Sequence, residues 1–204
     1  MDKLHRLKEI PSQTAGPFLH IGCVPNQIGL NTFGGIDLGS VLLSKNTEGK
    51  RITLTGKVFD GKNMPIRDGM VEIWQADANG LYQTSDTKSD GSDLNFSGWG
   101  RSHCDFESGS WIFETIKPGP VMMNNGSWMA PHISFWIVAR GVNLGLNTRM
   151  YFGDEHSLNE KDPLLQELKD TKRIRTLMAR KITENFYEFN IYLQGENETI
   201  FFEI

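Results

Sequence analysis

His132 lies in the run MAPHISFW, residues 129–136, within an otherwise apolar stretch. Side chains two apart share one face of a strand. His132, Ser134, Trp136 and Val138 therefore point one way, and Ile133, Phe135 and Ile137 the other. Two histidines at that spacing would make a compact metal-binding pair. Here the second place holds serine, a weak neutral ligand. A lone histidine on an apolar strand is more often a satisfied core residue than a ligand.

Other chemically capable residues offer no rescue. His103 and Cys104 lie in RSHCDF, where His103 and Asp105 form a strand pair with no visible third partner, and His20 and His156 are isolated. Each reads as a surface or satisfied polar residue. There is no G-x-S-x-G elbow, no Gly-rich phosphate loop and no H-E-x-x-H helix. The two cysteines, Cys23 and Cys104, are far apart and form no C-x-x-C pair. A disulfide framework is not expected, and a reducing cytoplasm is the expected compartment. Each cysteine reads as an inert buried thiol.

A chain of 204 residues can bury a sizeable core without staples. Its net charge of −4, from 21 basic and 25 acidic residues, gives no footprint for nucleic acid or an anionic membrane. No apolar run is long enough to span a bilayer, and MDKLHRLKEIPSQ lacks the apolar centre of a signal peptide.

The elements that must position these residues are mostly strands. Residues 1–10 are amphipathic and could form a short helix, and FLHIG (18–22) reads as a short strand. RITLTGKVFD alternates with period two, MVEIWQAD (70–77) reads as a strand, and ANGLYQ carries an Asn-Gly turn that delivers Tyr82. Residues 84–98 read as loop. GWGRSHCDF and GSWIFETIKPG read as strands joined by a Gly/Ser turn, followed by strands at 132–140 and 148–152. PLLQELKDTKRIRTLMARK (163–181) has helical spacing and a proline start. The expectation is a mainly β fold: one β-sandwich domain over 1–204, with mixed and antiparallel pairing, a helical segment near its C-terminal end and an N-terminal arm of about 1–17.

The segments VEIWQADANGLYQ, GWGR, ETIKPGP, APHISF, ARG and TRMYFGDE, in this order, resemble the intradiol ring-cleaving dioxygenases. The resemblance runs from PSQTAGPFLHIG to QGENETIFFEI, and these two ends look like the α chain of the family's two-chain members. Each motif alone is weak; their combination and order are specific. The family's iron is held by two tyrosines and two histidines. Fe(III) is a hard ion that tyrosine can serve as an anionic oxygen donor, and imidazole leaves positions for a catecholate. Mapped onto this chain, the four places hold Tyr82, Val121, His132 and Ser134, and an arginine of the catalytic chain is replaced by Met129. Valine cannot coordinate, so the resemblance implies no metal in this chain.

It further implies a homologous β subunit as partner, carrying Fe(III) and cleaving protocatechuate with O2 to 3-carboxy-cis,cis-muconate. The elements expected to line that partner's site are Thr14, Gly16, Pro17 and Arg140, the last as a guanidinium for the substrate carboxylate. Arg149 stands where catalytic chains resemble a glutamine. Two other readings remain open: a purely structural assembly subunit, and a self-sufficient catechol-type dioxygenase.

Overall fold

A computed structural model describes residues 14–16, 18–83, 91–168 and 170–203. Its strands are β1 (Arg51–Phe59), β2 (Met70–Gln75), β3 (Trp99–His103), β4 (Ser110–Ile116), β5 (Val121–Met122) and β6 (Trp128–Met129). Then come β7 (His132–Val138), β8 (Leu146–Phe152), β9 (Met178–Thr183), β10 (Phe186–Glu188) and β11 (Ile191–Tyr192). Among the described residues, nine of these strands join one sheet, in the order β11-β1-β10-β9-β8-β7-β2-β3 with β4 beside β1. Pairing is mixed: β1 runs parallel to β10 and β11, and β8 parallel to β9, while the other pairs are antiparallel.

This sheet folds on itself into a sandwich because β9 serves both layers. Its start, Met178 and Ala179, pairs with β8, and its later residues Arg180, Lys181 and Thr183 pair with β10. Period-two alternation supplies the two inner faces. Leu54, Trp111 and Phe113 from one layer meet Ile73, Phe135 and Met150 from the other in one core. Trp111 and Phe135 touch edge to face across it at 5.4 Å. The loop between β3 and β4 links the layers: β3 pairs with β2, and β4 with β1.

Three expectations change. FLHIG is not a strand but part of helix α1 (Phe18–Cys23), whose backbone bonds close locally, as from Val24 N–H to the His20 carbonyl at 3.0 Å. Residues 163–181 are not one helix. They divide into α2's successors: after α2 (His156–Asn159) come α3 (Pro163–Glu167) and α4 (Thr171–Ile174), then a 3-10 turn to Leu177 and strand β9. Two aspartates enforce the division, Asp162 capping α3 and Asp170 capping α4, with Leu168 extended between them. The strand expected over 132–140 stops at Val138. The helix expected over 1–10 and most of the arm lie outside the described residues.

Asp162 does more than cap. Fully buried, it accepts from Leu165 N–H (3.0 Å), Ala130 N–H (2.8 Å) and the Tyr151 hydroxyl (3.0 Å). These bonds tie α3, the lead-in to β7 and β8 to one carboxyl group. Asp162→Ala should leave three donors unpaired and lower the unfolding free energy by about 3 kcal/mol. Chemical denaturation of parent and variant measures this, and a loss under about 1 kcal/mol would show that the bonds are not structural.

Candidate functional site

Tyr82 is delivered by a turn that the sequence specifies locally. The buried Asp77 carboxyl accepts from Asn79 N–H (2.8 Å) and Leu81 N–H (3.0 Å), closing the Asn-Gly turn. Gly80 is required there twice over. Its φ is +80°, and a Cβ would lie 1.8 Å from the Pro120 carbonyl. The bare backbone lets the turn pack on Pro120, the residue before Val121. Tyr82 then stacks on Trp74, with ring centres 5.9 Å apart and planes 12° from parallel.

Opposite it stands His132, the first residue of β7 and only 1% exposed. Its Nδ1 lies 2.7 Å from the Ala130 carbonyl, and its Nε2 lies 3.0 Å from the Tyr82 hydroxyl. A carbonyl can only accept, so these partners assign the proton to Nδ1; Nε2 then accepts from the Tyr82 O–H. Burial, reinforced by the Arg149 charge, pushes the imidazole pKa down to about 4. Burial also raises the Tyr82 phenol above its ordinary value, with Arg149 opposing. Both groups are neutral, and each uses the other as its partner.

That arrangement does not fit a ferric ion. Of the four ligand places implied by resemblance, Val121 is a buried hydrocarbon on β5 and Ser134 a hydroxyl on β7. The two remaining donors are bonded to one another, and the phenol is held away from its anionic form. No group of three His, Cys, Asp or Glu side chains among the described residues could hold a metal. The positive charge in this neighbourhood is instead Arg149, which pairs with Ser134 across β7 and β8. Its Nη1 reaches Met129 Sδ and the Tyr151 hydroxyl, both at 3.5 Å. The sequence reading left Arg149 in doubt and missed Asp162. An Asp-Pro pair opening a helix was the available signal for Asp162.

Thr14, Gly16 and Arg140 gather elsewhere. The Thr14 hydroxyl accepts from Gly141 N–H (2.6 Å) and donates to the Ala139 carbonyl (3.2 Å), pinning the chain beside Arg140. Arg140 is 74% exposed and pairs with Asp68 at 2.8 Å. A Cβ at Gly16 would meet nothing within 4 Å among the described residues. Pro17 lies outside the described residues. This cluster and His132 sit at opposite ends of β7, about 20 Å apart at the rise of an extended strand. They cannot serve one ligand. His20 and His103, distant in sequence, lie within electrostatic reach of each other, and burial lowers the pKa of both; burial also pushes the Cys104 thiol up to about 12, an inert state.

His132 gives stability a pH dependence with a definite sign. Its proton affinity is 6.5 when unperturbed and about 4 in the fold, so the unfolded chain takes the proton first. The stabilisation is complete above about pH 6.5 and is lost as pH falls toward 4, by on the order of 3 kcal/mol. Unfolding free energies measured across that window should fall less steeply for His132→Gln than for the parent. At neutral pH, His132→Ala should cost about 1–3 kcal/mol, from the orphaned Tyr82 and Ala130 partners.

Comparison with known proteins agrees with this geometry. Residues 33–195 match the Dioxygenase family. The chain is 40% identical to the protocatechuate 3,4-dioxygenase alpha chain of Pseudomonas putida, over 97% of each chain. It is 35% identical to the corresponding beta chain of Burkholderia cepacia, over 82% of this chain and 77% of that one. Among solved structures, 3-chlorocatechol 1,2-dioxygenase from Rhodococcus opacus 1CP shares the fold, with a TM-score of 0.58 at 20% identity, covering 74% of this chain and 62% of that one. A dioxygenase domain from Streptomyces sp. SirexAA-E superposes over 98% of both chains, with a TM-score of 0.54 at 18% identity. A family match over most of its length and this degree of identity to both chain types place the protein in the intradiol dioxygenase family.

Proposed function

We propose that the chain is the non-catalytic α subunit of a protocatechuate 3,4-dioxygenase, one domain over 1–204 with an N-terminal arm of about 1–17. The observation that carries this reading is the closed Tyr82–His132 pair, with Val121 and Ser134 in the other ligand places. The relatives in hand include both an alpha and a beta chain, which supplies a homologous partner. Bound in that β partner, Fe(III) supplies the activation of protocatechuate toward O2 for cleavage to 3-carboxy-cis,cis-muconate. This chain's part is to bind and orient. Arg140 offers a largely exposed guanidinium to the substrate carboxylate, for which it would exchange Asp68. Thr14 is bonded beside it, and Gly16 presents bare backbone that meets nothing within 4 Å among the described residues. Pro17 would stiffen the same approach.

Association has its own support. Phe18 and Phe33 are each 80% exposed, and Leu30, Ile36, Leu38 and Val41 of the same segment of sequence are exposed too. Exposed apolar patches mark interfaces, and an obligate partner commonly covers upwards of about 2,000 Å². No helix among the described residues is long and apolar enough to cross a membrane, and the two free cysteines accord with a cytoplasmic site of action.

Purified alone, the chain should hold no stoichiometric iron and lack a tyrosinate-to-iron visible band; a coloured, iron-loaded preparation refutes the reading. In the assembled enzyme, Arg140→Ala should raise KM for protocatechuate roughly tenfold, the loss of one charge-assisted contact, and change KM for uncharged catechol little. Asp68→Asn, which frees Arg140, should move KM for protocatechuate the other way. Unchanged KM in both variants leaves the chain a scaffold with no residue near substrate.

A further inference from the structure

The outer face of the β3-β2-β7-β8 layer carries a cavity of about 480 Å³ that the proposed function does not use. That volume lies within the range of small-molecule sites. Its walls are aromatic and apolar: Trp74, Trp99 and Trp136 from the strands, closed by Leu164 of α3 and by Phe202. The walls are held. Trp74 is braced by its stacking on Tyr82, and Phe202 by its backbone bond to the Asn147 carbonyl at 2.8 Å. Trp136 lies against the bare backbone of Gly145, where a Cβ would come within 2.0 Å of its Nε1. Yet Trp74 and Trp136 remain 38% and 37% exposed, so these two indoles still present open surface.

One charge in this lining lacks a counter-charge. Arg149 forms no ion pair among the described residues, and its contacts are a thioether and a phenol at 3.5 Å. Two acids nearby among the described residues already have partners of their own. Glu72, also in the lining, is bound by Arg101 through Oε1 at 2.6 and 2.7 Å and by Trp99 Nε1 at 3.3 Å. Asp162 accepts from the three donors described above and reaches Arg149 only through the Tyr151 hydroxyl, with no direct ion pair. A guanidinium with free N–H donors, facing flat aromatic walls, selects an anion that is itself flat and apolar behind its charge. Ser134 and Asn147 add a hydroxyl and an amide to the same lining.

We infer that this cavity is a binding site for a small aromatic carboxylate, which pairs with Arg149 and lays its ring against Trp74 and Trp136, without metal and without chemistry. The inference is independent of the α-subunit reading, because it uses only this chain's residues. It also distinguishes two ends of one molecule: Arg140 is largely exposed and paired with Asp68, whereas Arg149 lines a cavity.

The test counts sites. Equilibrium dialysis of labelled 4-hydroxybenzoate is run on the full-length chain as purified, with any partner subunit retained, and on the Arg149→Gln variant prepared identically. The parent should bind one more molecule per chain than the variant, or bind at that site at least tenfold more tightly. Any site on a partner cancels in the comparison. Trp136→Leu, which leaves the charge in place, should remove the same site, and uncharged 4-hydroxybenzamide should not distinguish parent from Arg149→Gln. Equal counts and affinities for 4-hydroxybenzoate in parent and both variants overturn the inference, as they would if a partner's own side chain filled the cavity. So does 4-hydroxybenzamide binding as tightly as the acid.

Discussion

A single buried carboxyl group, Asp162, organises the region on which everything else depends. A carboxyl buried without donors would be costly, so its position demands partners. It finds them on three separate elements: Leu165 in α3, Ala130 before β7 and Tyr151 in β8. Ala130 is in turn the residue whose carbonyl orients His132, and Tyr151 is the residue that Arg149 approaches. Through these bonds one side chain sets the position of the imidazole, the guanidinium and the helix that closes the aromatic cavity.

Tyr82 and His132 form a self-consistent buried pair. Without the bond between them, the Tyr82 hydroxyl and His132 Nε2 would each lose a buried partner. Such a loss is expensive. The direct bond between them, at 3.0 Å, removes the cost and fixes the imidazole tautomer. Burial, reinforced by the Arg149 charge, holds His132 neutral, so the site is stable as a hydrogen-bonded cluster. Its neutrality is a structural state, maintained first by burial and second by charge.

Strand β7 separates two roles by its length. One end begins at His132, against the Tyr82 turn and the cavity; beyond the other lies Arg140, tied to Asp68 and flanked by Thr14. A rigid strand of seven residues keeps these apart by about 20 Å. A partner can therefore be engaged at Arg140 and the exposed apolar residues near Phe33 without any demand on the His132 end.

What the sequence by itself determined was local or periodic. Alternation in RITLTGKVF and HISFWIV assigned strands and their faces correctly, and the Asn-Gly turn before Tyr82 was legible because Gly80 needs a left-handed backbone. Tertiary structure decided the rest, for physical reasons that sequence spacing does not encode. The helical spacing of 163–181 yielded to β9, because only a strand there joins the two layers of the sheet. His132 and Asp162 each take one partner from far along the chain, Tyr82 at 50 positions and Ala130 at 32, respectively, brought close only by folding. Whether Arg149 is paired or free depends on which acids other elements have already neutralised, and that is a property of the assembled fold.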